Sequence, residues 1–228
     1  TNLRGAEEKG VDTADTAFNL GNEQTAADVV EWAQSSLATR RIALRRDDWF
    51  LELIVGTDFN IAVFGAGHVG SALVKSLSSL DCNIRWIDSR RNIFRSVPPN
   101  VRTIESAEPS LEVGAMPPRS CYFVMTHSHA LDFEICDRIL RRGDATYCGL
   151  IGSLSKRRRF EKRYLAQGMR REVLDALVCP IGVGGISGKK PAEIAVAAAA
   201  DVLRAYETAQ PGAHVAYPHN VQPLKYRQ

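Results

Sequence analysis

The sequence predicts an α/β fold, a doubly wound parallel sheet preceded by a smaller piece. From residue 60 onwards, short apolar runs alternate with segments of helical spacing, and a glycine-rich turn joins the first run to the first helix. The 228 residues are about one and a half times the length of a typical domain. Strands that alternate with helices in this way are typical of a parallel sheet with right-handed crossovers.

Five short apolar runs are predicted to form the strands of this sheet. The first, residues 61–64 (IAVF), is continuously apolar, as expected of a strand covered on both faces. The others are NIRWID, VRTI, CYFVMT and YCGLIG, the last ending at residue 152. We expect the strand order 3-2-1-4-5. We also expect a loop between Asp88 and Asn100, because two prolines interrupt that connection.

The segments between and after these runs have helical spacing. Helices are predicted over SALVKSLSSL, HALDFEICDRILRRG, SKRRRFEKRYLAQG and REVLDAL, and from Pro191 to about Glu207. The last one begins at a proline, which suits a first helical turn. Its AEIAVAAAADVLRA is apolar nearly all round, so we expect it to be sandwiched between the sheet and a partner.

Two segments flank the main domain, which we place at residues 60–208. Residues 1–59 are predicted to be a small, incomplete N-terminal α+β piece, and residues 209–228 an irregular tail. The first 24 residues lack an apolar period, so we expect them to pack poorly; a helix over 25–39 and a hairpin of RRIALRR with WFLELIV follow. The chain begins at Thr1 rather than methionine, which suggests that a natural N-terminus is missing.

The composition excludes a wholly disordered or fibrous protein. The 45% hydrophobic and 24% charged residues are ordinary globular values. The net charge of +3 is small, although residues 155–172 alone carry eight bases and two acids. The five cysteines are odd in number and form no C-x-x-C pair, as in a reducing compartment. With no signal peptide and no apolar stretch of bilayer length, we predict a cytoplasmic protein without nucleic-acid or membrane partners.

Residues 65–70, GAGHVG, form a G-x-G-x-x-G directly after a predicted strand and before a helix. In that context Gly65 permits the tight turn, Gly67 lets a pyrophosphate approach the backbone, and Gly70 lets helix and strand pack. The motif predicts a Rossmann-like phosphate-binding turn, with the start of the helix at His68 facing the anion. The alternative is that the glycines serve packing alone.

Asp88 ends the second predicted strand, 23 residues after the first glycine of the motif. An acid at this place binds a ribose hydroxyl in dinucleotide-binding folds. Ser89, Arg90 and Arg91 follow directly and offer partners for a phosphate instead. We therefore expect a phosphate-containing ligand, with NAD, NADP and other nucleotides as candidates.

Thr126, His127, Ser128 and His129 follow the fourth predicted strand. In the 3-2-1-4-5 order they lie across the crevice from the glycine turn, where such sheets bind ligands, so we predict that they line the site. No third metal ligand stands at a sensible spacing from the two histidines, so no protein-bound metal is predicted. The alternative is that Ser128 only caps the next helix.

Gly152 and Ser153 end the fifth predicted strand and precede the basic helix. Lys156 and Arg157 are expected in its first turn, where positive charge opposes the helix dipole. We therefore predict that they hold an anion beside the same crevice; the alternative is a solvated basic face. Four further bases are expected to point outward, to solvent or to an acidic partner: Arg158, Arg159, Lys162 and Arg163.

Cys179 opens a glycine- and lysine-rich loop that contains Gly188 and Lys189. Such a loop can fold over a phosphate. A lysine of the loop close to Cys179 would lower the pKa of its thiol and favour a reactive thiolate, and the alternative is a packed, inert cysteine. No G-x-S-x-G and no nucleophile–base pair of the hydrolase type is present in the sequence.

The motif series FGAGHVG, WIDSR, VMTHSHALD, YCGLIGS, CPIG and GISGKKPAEIAVAAAA resembles the C-terminal domain of the XdhC/CoxI family, the xanthine dehydrogenase accessory proteins. The resemblance covers roughly residues 42–207. It implies a chaperone rather than a turnover enzyme. Such a chaperone binds the molybdenum cofactor (molybdopterin with its terminal phosphate) while a cysteine desulfurase supplies a sulfido ligand, and then inserts it into apo xanthine dehydrogenase or a related molybdenum hydroxylase.

The resemblance also implies that the candidate residues above bind this cofactor, and we expect a homodimer. If Cys179 is a thiolate, as one of its two alternatives has it, it could ligate the molybdenum. The family's first domain ordinarily carries a Cys-Gly-Gly motif implicated in holding the cofactor, whereas no cysteine precedes Asn60 here. Two alternative functions stay open. One is an NAD(P)-dependent oxidoreductase in which His127 or His129 supplies a proton, and the other is a nucleotide-sensing interaction module.

Overall fold

The computed structural model describes residues 57–209, together with the course of four short strands before them. The chain divides into two compact units, Thr1–Gly56 and Thr57–Gln228. The predicted helix at 25–39 and the predicted tail after residue 209 lie outside the described residues.

In the first unit, the four strands form two antiparallel pairs. They are β1 (Val11–Thr13) with β2 (Thr16–Phe18), and β3 (Ala43–Arg46) with β4 (Trp49–Glu52). The second pair confirms the predicted hairpin, with Arg46 opposite Trp49. The first pair was not predicted and lies where we expected a poorly packed segment. Its strands of three residues are too short to show an alternating pattern in the sequence.

A six-stranded parallel sheet forms the centre of the second unit. Its strands are β5 (Asn60–Phe64), β6 (Asn83–Asp88), β7 (Val101–Glu105), β8 (Cys121–Val124), β9 (Tyr147–Leu150) and β10 (Leu177–Val178). The order β7-β6-β5-β8-β9-β10 confirms the predicted order 3-2-1-4-5 and the doubly wound α/β class. The added strand β10 pairs with β9 and was missed, since two residues carry no periodic signal.

Five helices connect and cover these strands. They are α1 (His68–Leu77), α2 (His129–Arg142), α3 (Leu154–Ala166), α4 (Arg171–Leu174) and α5 (Pro191–Ala209). A 3-10 helix at Pro109–Val113 lies between β7 and β8. The connection from β6 to β7 contains no helix, as predicted from its prolines. No helix in the described part of the chain is long and apolar enough to cross a membrane.

Alternate residues of each strand face opposite sides of the sheet, and each side has its own core. Ile61 and Val63 pack on the side of α1 and α5, whereas Phe64 packs on the side of α2 and α3. Helix α5 packs against α1. On the other side of α5, the side chain of Val196 is 57% exposed, so the described residues leave this face of the helix uncovered. A partner on that face stays a prediction.

An aromatic cluster fixes α3 against α2. The rings of Phe133 and Tyr164 stack with centroids 4.1 Å apart, and Phe160 packs edge-on to both. The buried hydroxyl of Tyr164 donates to the carbonyl of Phe133 at 2.8 Å, as a buried phenol requires. This packing places the start of α3 beside the start of α2, at the carboxyl edge of the sheet.

Candidate functional site

The glycine turn between β5 and α1 uses its three glycines differently. Gly65 has φ of +116°, and a Cβ there would lie 2.3 Å from the carbonyl oxygen of Met125. A Cβ on Gly70 would lie 2.1 Å from the carbonyl oxygen of Gly65. Both positions therefore exclude any side chain. Gly67 has nothing within 4 Å of a Cβ, so the space above its backbone is open to a ligand.

The turn is held from the neighbouring strand, while the start of α1 is left uncapped. The indole Nε1 of Trp86 donates to the carbonyl of Gly65 at 3.1 Å. Gly67 occupies the N-cap position, no side chain caps the helix and its first turn carries no acid. The first N–H groups of a helix have no partner inside it, so those beginning at His68 are free to meet an anionic acceptor. The side chain of His68 is exposed.

Asp88, buried at the end of β6, accepts four hydrogen bonds. Its Oδ2 accepts from the backbone N–H of Ala66 at 2.7 Å and from Nη2 of Arg90 at 2.8 Å. Its Oδ1 accepts from the backbone N–H and from Nε of Arg90, both at 2.9 Å. Burial raises the pKa of Asp88, but the hydrogen bonds from Arg90 and Ala66 more than offset this and bring it to about 2.

These contacts correct the predicted roles of Asp88 and Arg90. A carboxylate offers about four lone-pair sites, and all four of Asp88 are filled within the chain, so none is left for a ribose hydroxyl. The guanidinium of Arg90 donates to the same carboxylate. Asp88 therefore neutralises the charge that Arg90 was predicted to offer to a phosphate. Asp88 instead ties β6 to the glycine turn through Ala66. The sequence motif marks the position of Asp88 but does not show that Arg90, two residues later, pairs with it.

The segment 126–129 lies directly against the glycine turn, since a Cβ on Gly65 would be 3.1 Å from the backbone nitrogen of Thr126. Asp132 holds this segment. Its Oδ1 accepts from the backbone N–H of Thr126 at 2.9 Å and from the Thr126 hydroxyl at 2.7 Å. Ser128 caps α2 by accepting from the N–H of Leu131 at 3.4 Å, so the capping role left open for it is present. His129, at the start of α2, is exposed.

Lys156 provides the counter-ion for Asp132. Its Nζ lies 2.7 Å from Oδ2 of Asp132 and 2.9 Å from the carbonyl oxygen of Ile151, and the residue is 9% exposed. A Cβ on Gly152 would lie 2.6 Å from Cδ of Lys156, so this glycine makes room for the lysine. The structure corrects the predicted role of Lys156 as an anion ligand, because Asp132 already neutralises its charge.

Arg157 is also engaged inside the chain. Its Nε donates to Glu161 at 2.7 Å, and its guanidinium donates to the carbonyls of Leu174 and Leu177. It therefore joins α3 to the end of α4 and to β10 rather than reaching towards an anion. The four bases expected to point outward are exposed, although the guanidinium of Arg163 also lies 3.9 Å from the ring centroid of Phe133.

Cys179 is a packed residue with 5% exposure, and its Sγ lies 3.7 Å from the carbonyl oxygen of Ser153. Ser153 itself is exposed and caps α3. Burial raises the pKa of the Cys179 thiol, and Lys156 and Arg157 only partly oppose this effect. Of the two alternatives for Cys179, the structure supports the packed cysteine, and the pKa of its thiol is raised rather than lowered.

The glycine- and lysine-rich loop after Cys179 is exposed over residues 184–190. A Cβ on Gly188 would lie 2.3 Å from Oε2 of Glu193, and the same oxygen accepts from the backbone N–H of Lys190 at 3.0 Å. Glu193 thus holds the end of the loop against the start of α5. Lys189 is exposed, and its predicted contact with a phosphate stays a prediction.

A cleft of about 420 Å³ opens where β6, β7 and β8 end. Of the predicted site residues, Ser89, His127 and Ser128 line it. Three further polar residues of the lining were not predicted from the sequence, namely Glu108, Ser110 and Glu134. They lie in an unpatterned connection and within a helix, where no motif marks them. Among the described residues, no group of three His, Cys, Asp or Glu side chains is placed to hold a metal.

Comparison with known proteins gives a family and several similar solved structures. The family model described as the XdhC Rossmann domain matches residues 61–202, more than half of the chain. A Bacillus halodurans protein described as a xanthine dehydrogenase superposes with a TM-score of 0.60 at 22% identity. The alignment covers 90% of this chain and 57% of that protein. No curated protein matches the chain.

Two NAD complexes superpose more distantly, at TM-scores too low to bear on function. The UDP-glucose 4-epimerase of Thermus thermophilus has 13% identity and a TM-score of 0.32, covering 66% of this chain and 51% of its own. The enzyme WbmH of Bordetella bronchiseptica has 13% identity and a TM-score of 0.32, covering 64% and 51%.

The different surroundings of Gly70 and Gly67 predict different effects of the same substitution. Gly70→Ala places a methyl group on the carbonyl of Gly65, and overpacking of this kind costs about 1–3 kcal/mol. Gly67→Ala meets open space, so we expect a loss below about 1 kcal/mol, the usual size of an N-cap change. Urea unfolding followed by circular dichroism measures both. Equal losses would contradict the packing described for Gly70.

Lys156→Met should lower the free energy of unfolding by about 3–5 kcal/mol, because it leaves the carboxylate of Asp132 buried without a counter-ion. Arg159→Ala, an exposed base of the same helix, should change it by less than about 0.5 kcal/mol. Adding Asp132→Asn to Lys156→Met should restore part of the loss, since the amide oxygen still accepts from Thr126. Thermal and urea unfolding test this, and a Lys156→Met protein as stable as Arg159→Ala would refute it.

Cys179 should react with iodoacetamide in the native protein no faster than Cys121, because burial raises the pKa of both thiols, that of Cys121 to about 12. Mass spectrometry of labelled peptides, with and without urea, gives the relative rates. Rapid native labelling of Cys179 alone would show an accessible thiolate and restore its predicted role as a molybdenum ligand.

Proposed function

Because the chain belongs to the XdhC family, we propose that it is an accessory protein that binds the molybdenum cofactor, protects it during sulfuration and delivers it to apo xanthine dehydrogenase or a related molybdenum hydroxylase. The observation that carries this proposal is the contrast between two positions at the carboxyl edge of the sheet, Gly67 and Asp88. The position for a phosphate at Gly67 is open, whereas the acid expected to hold a nucleotide ribose, Asp88, is fully occupied by Ala66 and Arg90. A phosphate-bearing ligand without a ribose fits this combination.

The residues of the glycine turn fit the terminal phosphate of molybdopterin. A Cβ at Gly67 would meet nothing within 4 Å, and the N-terminus of α1 is uncapped, so its backbone N–H groups and partial positive charge would hold the phosphate. When bound, the cofactor supplies the molybdenum and its dithiolene chemistry. The chain's own part is to hold the phosphate and to keep the crevice in shape through the ion pairs of Asp88 and Asp132.

The exposure of His127 and His129, and the lack of a hydrogen-bond partner for either among the described residues, favour a carrier over an oxidoreductase. An oxidoreductase of this fold needs an acid or base held in place near the nicotinamide. Neither His127 nor His129 hydrogen-bonds to another described residue, and both are exposed. A catalytic histidine is usually oriented by a partner on its second nitrogen. The buried titratable pair, Asp132 with Lys156, is occupied in holding the crevice.

Partners of a carrier must reach the same crevice. We propose a cysteine desulfurase and the apo-hydroxylase as partners, a homodimer as the assembly and the cytoplasm as its location. The exposed bases of α3, Arg158, Arg159 and Lys162, offer an acidic partner a surface whose attraction is screened within about 10 Å at ~0.1 M salt. Salt sensitivity of complex formation would be the signature of this surface.

The test is to purify the full chain from a cell that makes the cofactor and to identify the bound ligand by native mass spectrometry, absorbance and metal analysis. We expect a pterin with molybdenum. Gly67→Asp places a carboxylate where the phosphate would approach and should reduce the retained cofactor at least about tenfold, the equivalent of 1.4 kcal/mol. A co-purifying dinucleotide in place of the pterin would overturn the proposal.

The matched control is Ser79→Asp. It adds the same charge just beyond the other end of α1, about 18 Å from Gly67 at 1.5 Å per residue, and Ser79 is exposed. It should retain the cofactor like the unmodified chain. Equal losses in both variants would indicate a general effect of charge and would contradict phosphate binding at Gly67.

A further inference from the structure

The cleft between the ends of β6, β7 and β8 has the wrong charge for a phosphate. Two carboxylates, Glu108 and Glu134, line it, and no lysine or arginine does. The nearest base in sequence to its lining residue Ser89 is Arg90, which is bound to Asp88. A ligand group in this cleft is therefore neutral or positive, and it differs chemically from the group that Gly67 would accept.

Three of the four carboxylate oxygens in the lining of the cleft accept no hydrogen bond from the described residues. Ser110, 2% exposed, donates its hydroxyl to Oε1 of Glu134 at 2.6 Å. Nε of Arg138 forms an ion pair with the same oxygen at 3.8 Å, a distance too long for a hydrogen bond. Oε2 of Glu134 and both carboxylate oxygens of Glu108 accept no hydrogen bond from the described residues. Ser110 thus orients the carboxylate of Glu134 while leaving its second oxygen for a ligand.

The rest of the lining is mixed, with apolar Ala107, Pro109 and Leu131 beside polar Ser89, His127 and Ser128. Pro109 is buried and Leu131 is half-buried, and both contribute to the wall of the cleft. A volume of about 420 Å³ lies within the range of about 300–1,000 Å³ usual for small-molecule sites. Apolar contacts from Pro109 and Leu131 beside the two carboxylates suit a flat ring that presents N–H donors at its rim.

We propose that this cleft binds a flat heterocycle with adjacent N–H donors, of the 2-amino-4-oxopyrimidine type, and that Glu134 accepts hydrogen bonds from the ring N–H and the exocyclic amine. The inference rests on the proposed function, since a pterin carries this edge. It divides the ligand between two parts of the crevice, with the pterin ring at Glu134 and the terminal phosphate at Gly67.

The test measures binding of pterin itself to the full chain by fluorescence and equilibrium dialysis. Lumazine, which has the same bicycle with an oxygen in place of the 2-amino group, is the matched probe. We expect the chain to bind pterin about tenfold or more tighter than lumazine, as expected for loss of a hydrogen bond to a charged group. Glu134→Gln should weaken pterin binding by a similar factor, since its amide N–H₂ opposes the donors of the ring.

Glu112→Gln removes the same charge from the neighbouring 3-10 helix without altering the lining of the cleft, and it should bind pterin like the unmodified chain. Absence of pterin binding, equal affinity for pterin and lumazine, or equal affinity of Glu134→Gln and Glu112→Gln would each overturn the inference. These outcomes are separate from the proposed function. Cofactor retained by the chain and lost in Gly67→Asp would support that function even if Glu134 played no part.

Discussion

The buried ion pair of Asp132 and Lys156 is the interaction on which the geometry of the crevice depends. Removing two charges from water costs several kcal/mol per ion, and only close contact with further hydrogen bonds offsets that cost. Both conditions are met here, because the two charged atoms lie 2.7 Å apart and Thr126 and Ile151 supply the remaining bonds. The pair thereby joins the starts of α2 and α3 to the ends of β8 and β9.

Asp88 performs the same task on the other side of the crevice. Its four hydrogen bonds join β6 to the glycine turn, and the turn is pressed against the end of β8 at Met125. Both buried aspartates are therefore structural, each with its own base. In the proposed function, ligand recognition would fall to groups that the framework does not use, namely the backbone near Gly67 and the polar lining of the cleft.

This division separates the crevice into two chemical environments. The start of α1 offers uncapped N–H groups and a partial positive charge, whereas the cleft at Glu134 offers carboxylate oxygens beside Pro109 and Leu131. A ligand with a phosphate at one end and a donor-rich ring at the other would satisfy both, and the cofactor proposed for this family member has that form. The exposed face of α5 at Val196 and the bases of α3 lie outside this crevice, where partner proteins would approach.

The sequence by itself determined the fold class, the strand order and the place of the crevice. Apolar runs, helical spacing and the G-x-G-x-x-G turn are local patterns, and the carboxyl edge of a parallel sheet follows from them. The tertiary structure alone decided which polar side chains are free. Lys156 and Asp132 stand 24 positions apart, so no local spacing announces their pairing. Their contact, like that of Ser110 with Glu134, forms only when the crossover connections bring α2 beside α3 and the 3-10 helix. Ion pairs and hydrogen bonds depend on the distance between two groups in space, and the spacing of the residues along the chain does not give that distance.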